Sequence, residues 1–323
     1  MMKDITNPIY HNEDKARHHL ETLRWGDELS NQFCPSCGCT DRIKPTPMKS
    51  KPSLKKPEPK VIHGYYHCAD CRTKFTVRTG TIYERSHIPL HKWVLATQLL
   101  CSSKKGMSAH QLHRMLGVTY KTAWFMSHRI RESMNIDHDD TMGNSEEPVQ
   151  ADETYFGRKD VVVKRTKHGK PSHSSKMSVV SLVSKGKARS FHVDTATIES
   201  VSEILHENVS RDAELHTDES RLYTQVGADF KQHKTVKHSA GEYMKDGAHV
   251  NNAENYFSIF KRGMRGVYQR CSEKHLQRYL NEFDFRYNTR DITDFERGNK
   301  VFENAEGKRL TYNNVSKTIS STV

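Results

Sequence analysis

The sequence predicts an α/β domain preceded by a small cysteine-rich ribbon and a helical segment, and three observations carry that prediction. Two CxxC pairs, Cys34/Cys37 and Cys68/Cys71, sit in turn-rich, β-prone sequence near the start of the chain. Residues 89–135 place apolar side chains at helical spacing. From residue 149 onward β-prone runs alternate with helical patterns, as in a sheet covered by helices.

In chain order, residues 12–24 read as a short helix with Leu20 and Leu23 on one face and Trp25 at its end. "FCPSCGCTDRI" is a Cys-, Pro- and Gly-rich turn, and "KPTPMKSKPSLKKPEPK" (44–60) is a basic, extended or flexible loop. β-prone sequence then surrounds the second CxxC. Pro89 suits the first turn of the next helix. "MSAHQLHRMLGV" offers Ser108 as N-cap and Gly117 as stop, and "TYKTAWFMSHRIRESM" offers Thr119 as N-cap. The α/β part supplies strands at 149–156, 176–184, 188–193 and 212–218, and helices at 197–208, 219–226, 251–262 and 272–288. "KRTKHGKPSHSS" suits a hairpin loop. The domain boundaries that follow are a ribbon region at 1–85, a helical segment at 86–136, an acidic linker at 137–148, the α/β domain at 149–295 and a polar, fraying tail at 296–323.

The net charge of +12 makes an anionic partner the leading expectation, with nucleic acid ahead of membrane. No run of 18 apolar residues occurs, and the first 25 residues carry acids and lack an apolar stretch, so neither a membrane span nor a signal peptide is read. The expected location is cytoplasmic, at the nucleoid. In such a compartment paired cysteines indicate metal before disulfide. Two thiolates per tight turn, on two turns, complete a closed tetrahedral zinc site from Cys34, Cys37, Cys68 and Cys71, structural in role. Cys39, His63 and His67 are alternative ligands. Cys101 and Cys271 are assigned no role.

Residues 108–134 form a helix-turn-helix pattern whose second helix carries Lys121, His128, Arg129 and Arg131, the expected DNA-binding residues. An ordinary helical hairpin with a solvated charged face is the plainer alternative. Acids in a basic protein raise a different question. Asp152 opens the first strand of the α/β part, Asp218 ends a later strand, and Glu254 lies on a helix. Three acids distant in sequence, each at an element end or exposed helix face, can converge on a pair of divalent cations, as phosphoryl transfer requires. Oxygen-only donors suit Mg²⁺ or Mn²⁺ rather than zinc. Ser258 and Lys261 share the helix face of Glu254, which sets Lys261 beside a phosphate. His216, on the strand side of Asp218, is a candidate support for it. A single acid is most often a solvated surface charge, and Glu153 and Glu219 are read that way.

At these residues the sequence resembles the DDE transposases of bacterial insertion sequences, in particular the group joining an N-terminal zinc ribbon to an integrase-like catalytic domain. The matching stretches are "CPSCG", "YHCADCRTKFTVRTGTIYERSHIPLHKW", "KTAWFMSHRIRESM", "ADETYFG", "HTDES" and "NNAENYFSIFKRGMRGVYQRCSEKHLQRYLNEFDFRYNTR", spread over roughly residues 12–290 in the expected order. The resemblance implies an RNase H-like mixed sheet flanked by helices, a catalytic triad at Asp152, Asp218 and Glu254, and an accessory Lys261. The long Pro/Lys insertion in the ribbon and Asn255 after the third acid depart from the pattern, but no metal ligand is lost. The implied activity is that of a transposase. It binds terminal inverted repeats, cuts strands in a metal-dependent step that leaves a 3′-hydroxyl, and transfers that end to target DNA as a homo-oligomer. The rivals are a non-catalytic DNA-binding regulator and a nuclease that hydrolyses without joining.

Overall fold

The computed structural model describes residues 4–50, 52, 58–59, 61–136, 140–160, 176–236 and 248–311. The predicted hairpin loop at 164–175 lies outside these. The chain divides into two compact units. One comprises Met1–Ser103, Ala109–Met134 and Ile292–Asn314, and the other is centred on Asn135–Asp291.

In the first unit, helix α1 (Glu13–Trp25) is capped by the Asn12 side chain and ends at Gly26, whose φ is +80°. The start of the Pro/Lys segment is not free loop. Its first residues contribute to β1 (Ile43–Pro45) and β2 (Met48–Lys49). With β3 (Val61–Ile62), β4 (Tyr66–Cys68) and β5 (Lys74–Phe75), they form an antiparallel sheet in the order β1-β4-β5 and a β2-β3 pair. Trp25, Tyr66 and Phe75 pack as a ring cluster with centroids 5.4–6.1 Å apart, over which α1 closes. Helix α2 (Leu90–Ser102) has Pro89 at its N-cap position, one residue before the first turn. Helices α3 (Ala109–Leu116) and α4 (Tyr120–Met134) form a hairpin around Gly117, whose φ of +60° favours a residue without Cβ. Thr119 Oγ1 accepts from Thr122 N (3.2 Å), so the expected cap on α4 forms.

The second unit holds a five-stranded sheet: β6 (Val149–Phe156), β7 (Met177–Ser184), β8 (Lys187–Val193), β9 (Glu214–Asp218) and β10 (Gln232–Val236), in the order β10-β9-β6-β7-β8. β6, β7 and β8 are an antiparallel meander, while β9 runs parallel to β6 and β10 parallel to β9. This is the mixed sheet flanked by helices that the family resemblance implies. β7 is buried along its whole length, which explains its unbroken "MSVVSLVS".

Side-chain alternation divides the β6 residues between two cores. Val149 and Ala151 pack with Val201 and Leu205 of α5 (Ile198–Asn208), and Phe156 packs with α6 (Asn251–Gly263) and α7 (Leu276–Asn288). Along the exposed side of β8, α7 stands in for a further strand. Asn288, Asp284 and Gln277 accept from the backbone N–H of Ala188, Ser190 and His192 at 2.6, 2.8 and 2.8 Å. Asn288 and Gln277 also donate to the carbonyls of Ala188 and Ser190.

Three expectations change. Residues 219–226 form turns, not a helix, because Asp218 Oδ1 accepts from Ser220 N (3.0 Å) and an Asx turn ends the strand. The helix expected at 272–288 begins as a 3₁₀ turn at Glu273–His275 and becomes α-helical at Leu276. Inside the expected fraying tail, Asp294–Glu303 forms α8, with a Thr293/Glu296 capping box and Arg297 donating to Cys101 O (2.9 Å) at the end of α2.

Candidate active site and metal centre

The four cysteines of the two CxxC pairs come together. Cys34 Sγ lies 3.6 Å from Cys71 Sγ and Cys37 Sγ 3.7 Å from Cys68 Sγ, and all four sulfurs lie within 4.8 Å of one another. A tetrahedral zinc thiolate site with bonds of about 2.3 Å has sulfur edges of about 3.8 Å, so the donor set fits zinc with no rearrangement. Each knuckle turns through a left-handed residue just after its second cysteine, Gly38 (φ +76°) and Arg72 (φ +56°). His63 and His67 take no part. Cys39 falls instead into a second grouping with Cys68 and Asp70.

The acids approach one another on one face of the second unit. Val149 pairs with Leu215 and Gln150 with His216, an offset of 66 residues. Carried two residues past the last paired position, that offset sets Asp152 beside Asp218. Both project from even-numbered positions, away from the α5 core and toward the side covered by α6. Glu254 lies in the first turn of α6, exposed. Burial pushes the Asp152 carboxyl up to about 7, and the neighbouring charges of Glu153, Asp218 and Glu254 add to the rise. Neither Asp152 nor Asp218 forms an ion pair among the described residues. Three acids close enough to raise a pKa, all with oxygen donors, fit a divalent cation. Among the described residues only the cysteine groups draw three ligand atoms within 4.8 Å, so the acids stand wider apart, as mutually repelling charges do.

The Lys261 ammonium lies 5.8 Å from the centre of the Phe257 ring. Burial lowers its pKa, the Asp152 charge opposes that, and Arg265 and Lys176 reinforce it. Ser258 is exposed on the same helix face, while Tyr256, Phe257 and Phe260 enter the core.

Several site expectations differ from what the structure holds. Glu153 is no solvated surface charge. It is half-buried on the opposite face of β6, where the fully buried Tyr223 hydroxyl donates to it (2.8 Å), and burial raises its pKa. His216 faces Glu214, 2.5 Å away, which Lys234 also reaches at 2.7 Å. Of the expected DNA contacts, His128, Arg129 and Arg131 are buried at 0%, 5% and 2% exposure, and only Lys121 is exposed. Arg129 lies against Trp93 and Phe125 and donates to Glu84 O (2.8 Å), so its charge holds the unit together internally.

One residue escaped the sequence reading. Gln150 is 4% exposed, and its Oε1 accepts from Asn252 N (3.0 Å) and Ala253 N (3.3 Å) at the start of α6. Its Nε2 donates to His249 Nδ1 (3.2 Å). The available signal was a polar residue set between two apolar ones, Val149 and Ala151, near the start of the strand.

Comparison with known proteins gives two family matches. Residues 145–288 match the ISXO2-like transposase domain, and residues 11–74 match the transposase zinc-ribbon domain. The chain is also 26% identical over 290 residues to an uncharacterized protein in transposable element ISH50 of Halobacterium salinarum, covering 85% of this chain and 90% of that one.

Proposed function

The chain belongs to the insertion-sequence transposases that join a zinc ribbon to an ISXO2-like domain, and we propose that it cuts the ends of its element and joins them to target DNA. The observation that carries this reading is the gathered carboxylate set, in which burial first, and then the neighbouring charges of Glu153, Asp218 and Glu254, raise Asp152 to about 7. Asp152, Asp218 and Glu254 would hold Mg²⁺ or Mn²⁺. Bound there, the cations would supply positive charge to the attacking and leaving oxygens of a phosphodiester. Lys261, on the same helix face as Glu254, meets a phosphate oxygen of the reacting strand and offsets its charge. Asp152 and Asp218, set on adjacent strands, and Glu254, on α6, would offer their oxygens to those cations from two elements of the fold. No side chain serves as nucleophile, so water cuts the strand and the released 3′-hydroxyl attacks the target in a second use of the same site. Zinc on the four cysteines is structural, since all four positions are taken by protein.

End recognition falls to the tip of the α3–α4 hairpin rather than to the buried half of α4. Between Glu84 and Glu132 the chain contains no Asp or Glu. At the tip Arg114 and Lys121 are exposed, Tyr120 and Met115 are 45% and 50% exposed, and His110 stacks on Tyr120 with ring centroids 4.3 Å apart. Cations around an exposed aromatic stack suit phosphate and base or sugar together.

The test uses the inverted repeats flanking the gene as labelled duplexes with Mg²⁺ or Mn²⁺. Wild type is expected to nick at the repeat ends and join them into a second DNA, and Asp152→Asn to bind the ends without either product. Nicking without joining identifies a nuclease. End binding without products in both proteins identifies a regulator.

A further inference from the structure

We propose that Gln150 is a positioning residue, holding the start of α6, and with it Glu254, against the strand that bears Asp152. The inference rests on the catalytic reading above. A helix begins with four N–H groups that its own backbone does not satisfy, and a side chain at the N-cap ordinarily takes one or two of them. The N-cap residue of α6 is Val250, which has no acceptor to offer. Gln150 supplies it from a different element, accepting from Asn252 N at 3.0 Å and Ala253 N at 3.3 Å. The next residue is Glu254.

On the strand side, Gln150 lies two residues before Asp152 and so projects from the same face. It is held between Val183 of β7 and His216 of β9, in the middle of the sheet. The amide end is oriented as well, because Nε2 donates to His249 Nδ1 at 3.2 Å, which leaves Oε1 facing the helix. Gln150 therefore sets the distance between two acids that lie 102 residues apart in sequence. Nothing in α6 alone does so. Catalytic ligands tolerate little displacement, and loss of a residue that orients a metal ligand typically costs about 10–100-fold in metal affinity or activity.

The experiment compares Gln150→Met, which keeps the volume and removes the acceptor, with Gln150→Glu, which keeps the acceptor. His249→Ala serves as a third variant that releases the amide but leaves the cap. Four quantities are read: hydrogen exchange at Asn252 and Ala253, Mn²⁺ binding by electron paramagnetic resonance, end-DNA affinity, and nicking rate. Gln150→Met is expected to speed exchange at the two amides, to weaken Mn²⁺ binding and slow nicking by about 10-fold or more, and to leave end affinity unchanged. Gln150→Glu is expected to restore slow exchange and most of the Mn²⁺ affinity. His249→Ala, at a partly exposed position, is expected to change Mn²⁺ binding by less than about 3-fold, a fraction of the full positioning effect. Faster exchange in Gln150→Met with wild-type Mn²⁺ binding and nicking would overturn the inference, leaving Gln150 a cap alone. An equal loss in His249→Ala would overturn it too. Absence of Mn²⁺ binding in the wild type would instead overturn the catalytic reading beneath it.

Discussion

Asp152 couples the chemistry of the site to the stability of the fold. Its folded pKa, about 7, lies above the unfolded carboxylate value, so folding takes up a proton. The stability that this proton brings is fully present below about pH 4 and is lost as pH rises through 7. Asp152→Asn is therefore expected to melt above the metal-free wild type at pH 8, by on the order of 2 kcal/mol or more, with the difference shrinking as pH falls and closing near pH 4. The same variant should bind no Mn²⁺. A difference melting curve that is flat with pH would refute the assignment. Asp284 raises the same issue without any catalytic role. Burial pushes its carboxyl up to about 6, although Ser190 N, Ser190 Oγ and Tyr256 OH all donate to it. The positions of the acids were legible because alternation along β6 and the strand-end location of Asp218 are local properties. Gln150 was not, because the amides that it caps lie about 100 residues away, and no local pattern links them.

At the scale of elements, patterns read well where burial follows one face and poorly where partners surround. The strands at 149–156, 177–184 and 187–193 and helices α5 and α6 appear within a residue or so of expectation, each carrying its own periodicity. Helix α4 shows the limit. Its basic stretch looks like a DNA-facing surface, but Trp93 of α2 and the Glu84 carbonyl, both brought in from earlier sequence, enclose Arg129. Helix α8 is polar and short, and only its Thr293/Glu296 capping box announced it. For the α3–α4 hairpin, Lys121→Ala and Arg114→Ala should each lower the slope of log K against log salt for end binding by about 0.9, and Tyr120→Ala should reduce the preference for ends over random DNA. Because these side chains are exposed, melting temperatures should not move. An Arg131→Ala effect on binding without any loss of stability would argue for the buried half of α4 instead. In the ribbon, verified removal of zinc should unfold the β1-β4-β5 sheet, read as loss of the near-ultraviolet signal of the Trp25/Tyr66/Phe75 cluster.

Across the whole molecule, a chain of net charge +12 brings Asp152, Asp218 and Glu254 toward one site and leaves a stretch of 47 residues, 85–131, with no acid. Nonspecific affinity for DNA should therefore fall steeply with salt, while the nicking rate of DNA already bound should respond to salt far less, since the acids act on cations and not on the polyanion itself. The row of α7 side chains along β8 bears on a separate hazard. A strand whose amides and carbonyls face solvent recruits other strands, and Asn288, Asp284 and Gln277 occupy those groups at every second residue. A copy of this chain shortened before Leu276 would lose its third acid's neighbouring support and, more consequentially, would uncover a sticky margin. Such a product would be expected to aggregate or to be degraded before it could compete with the intact chain for DNA.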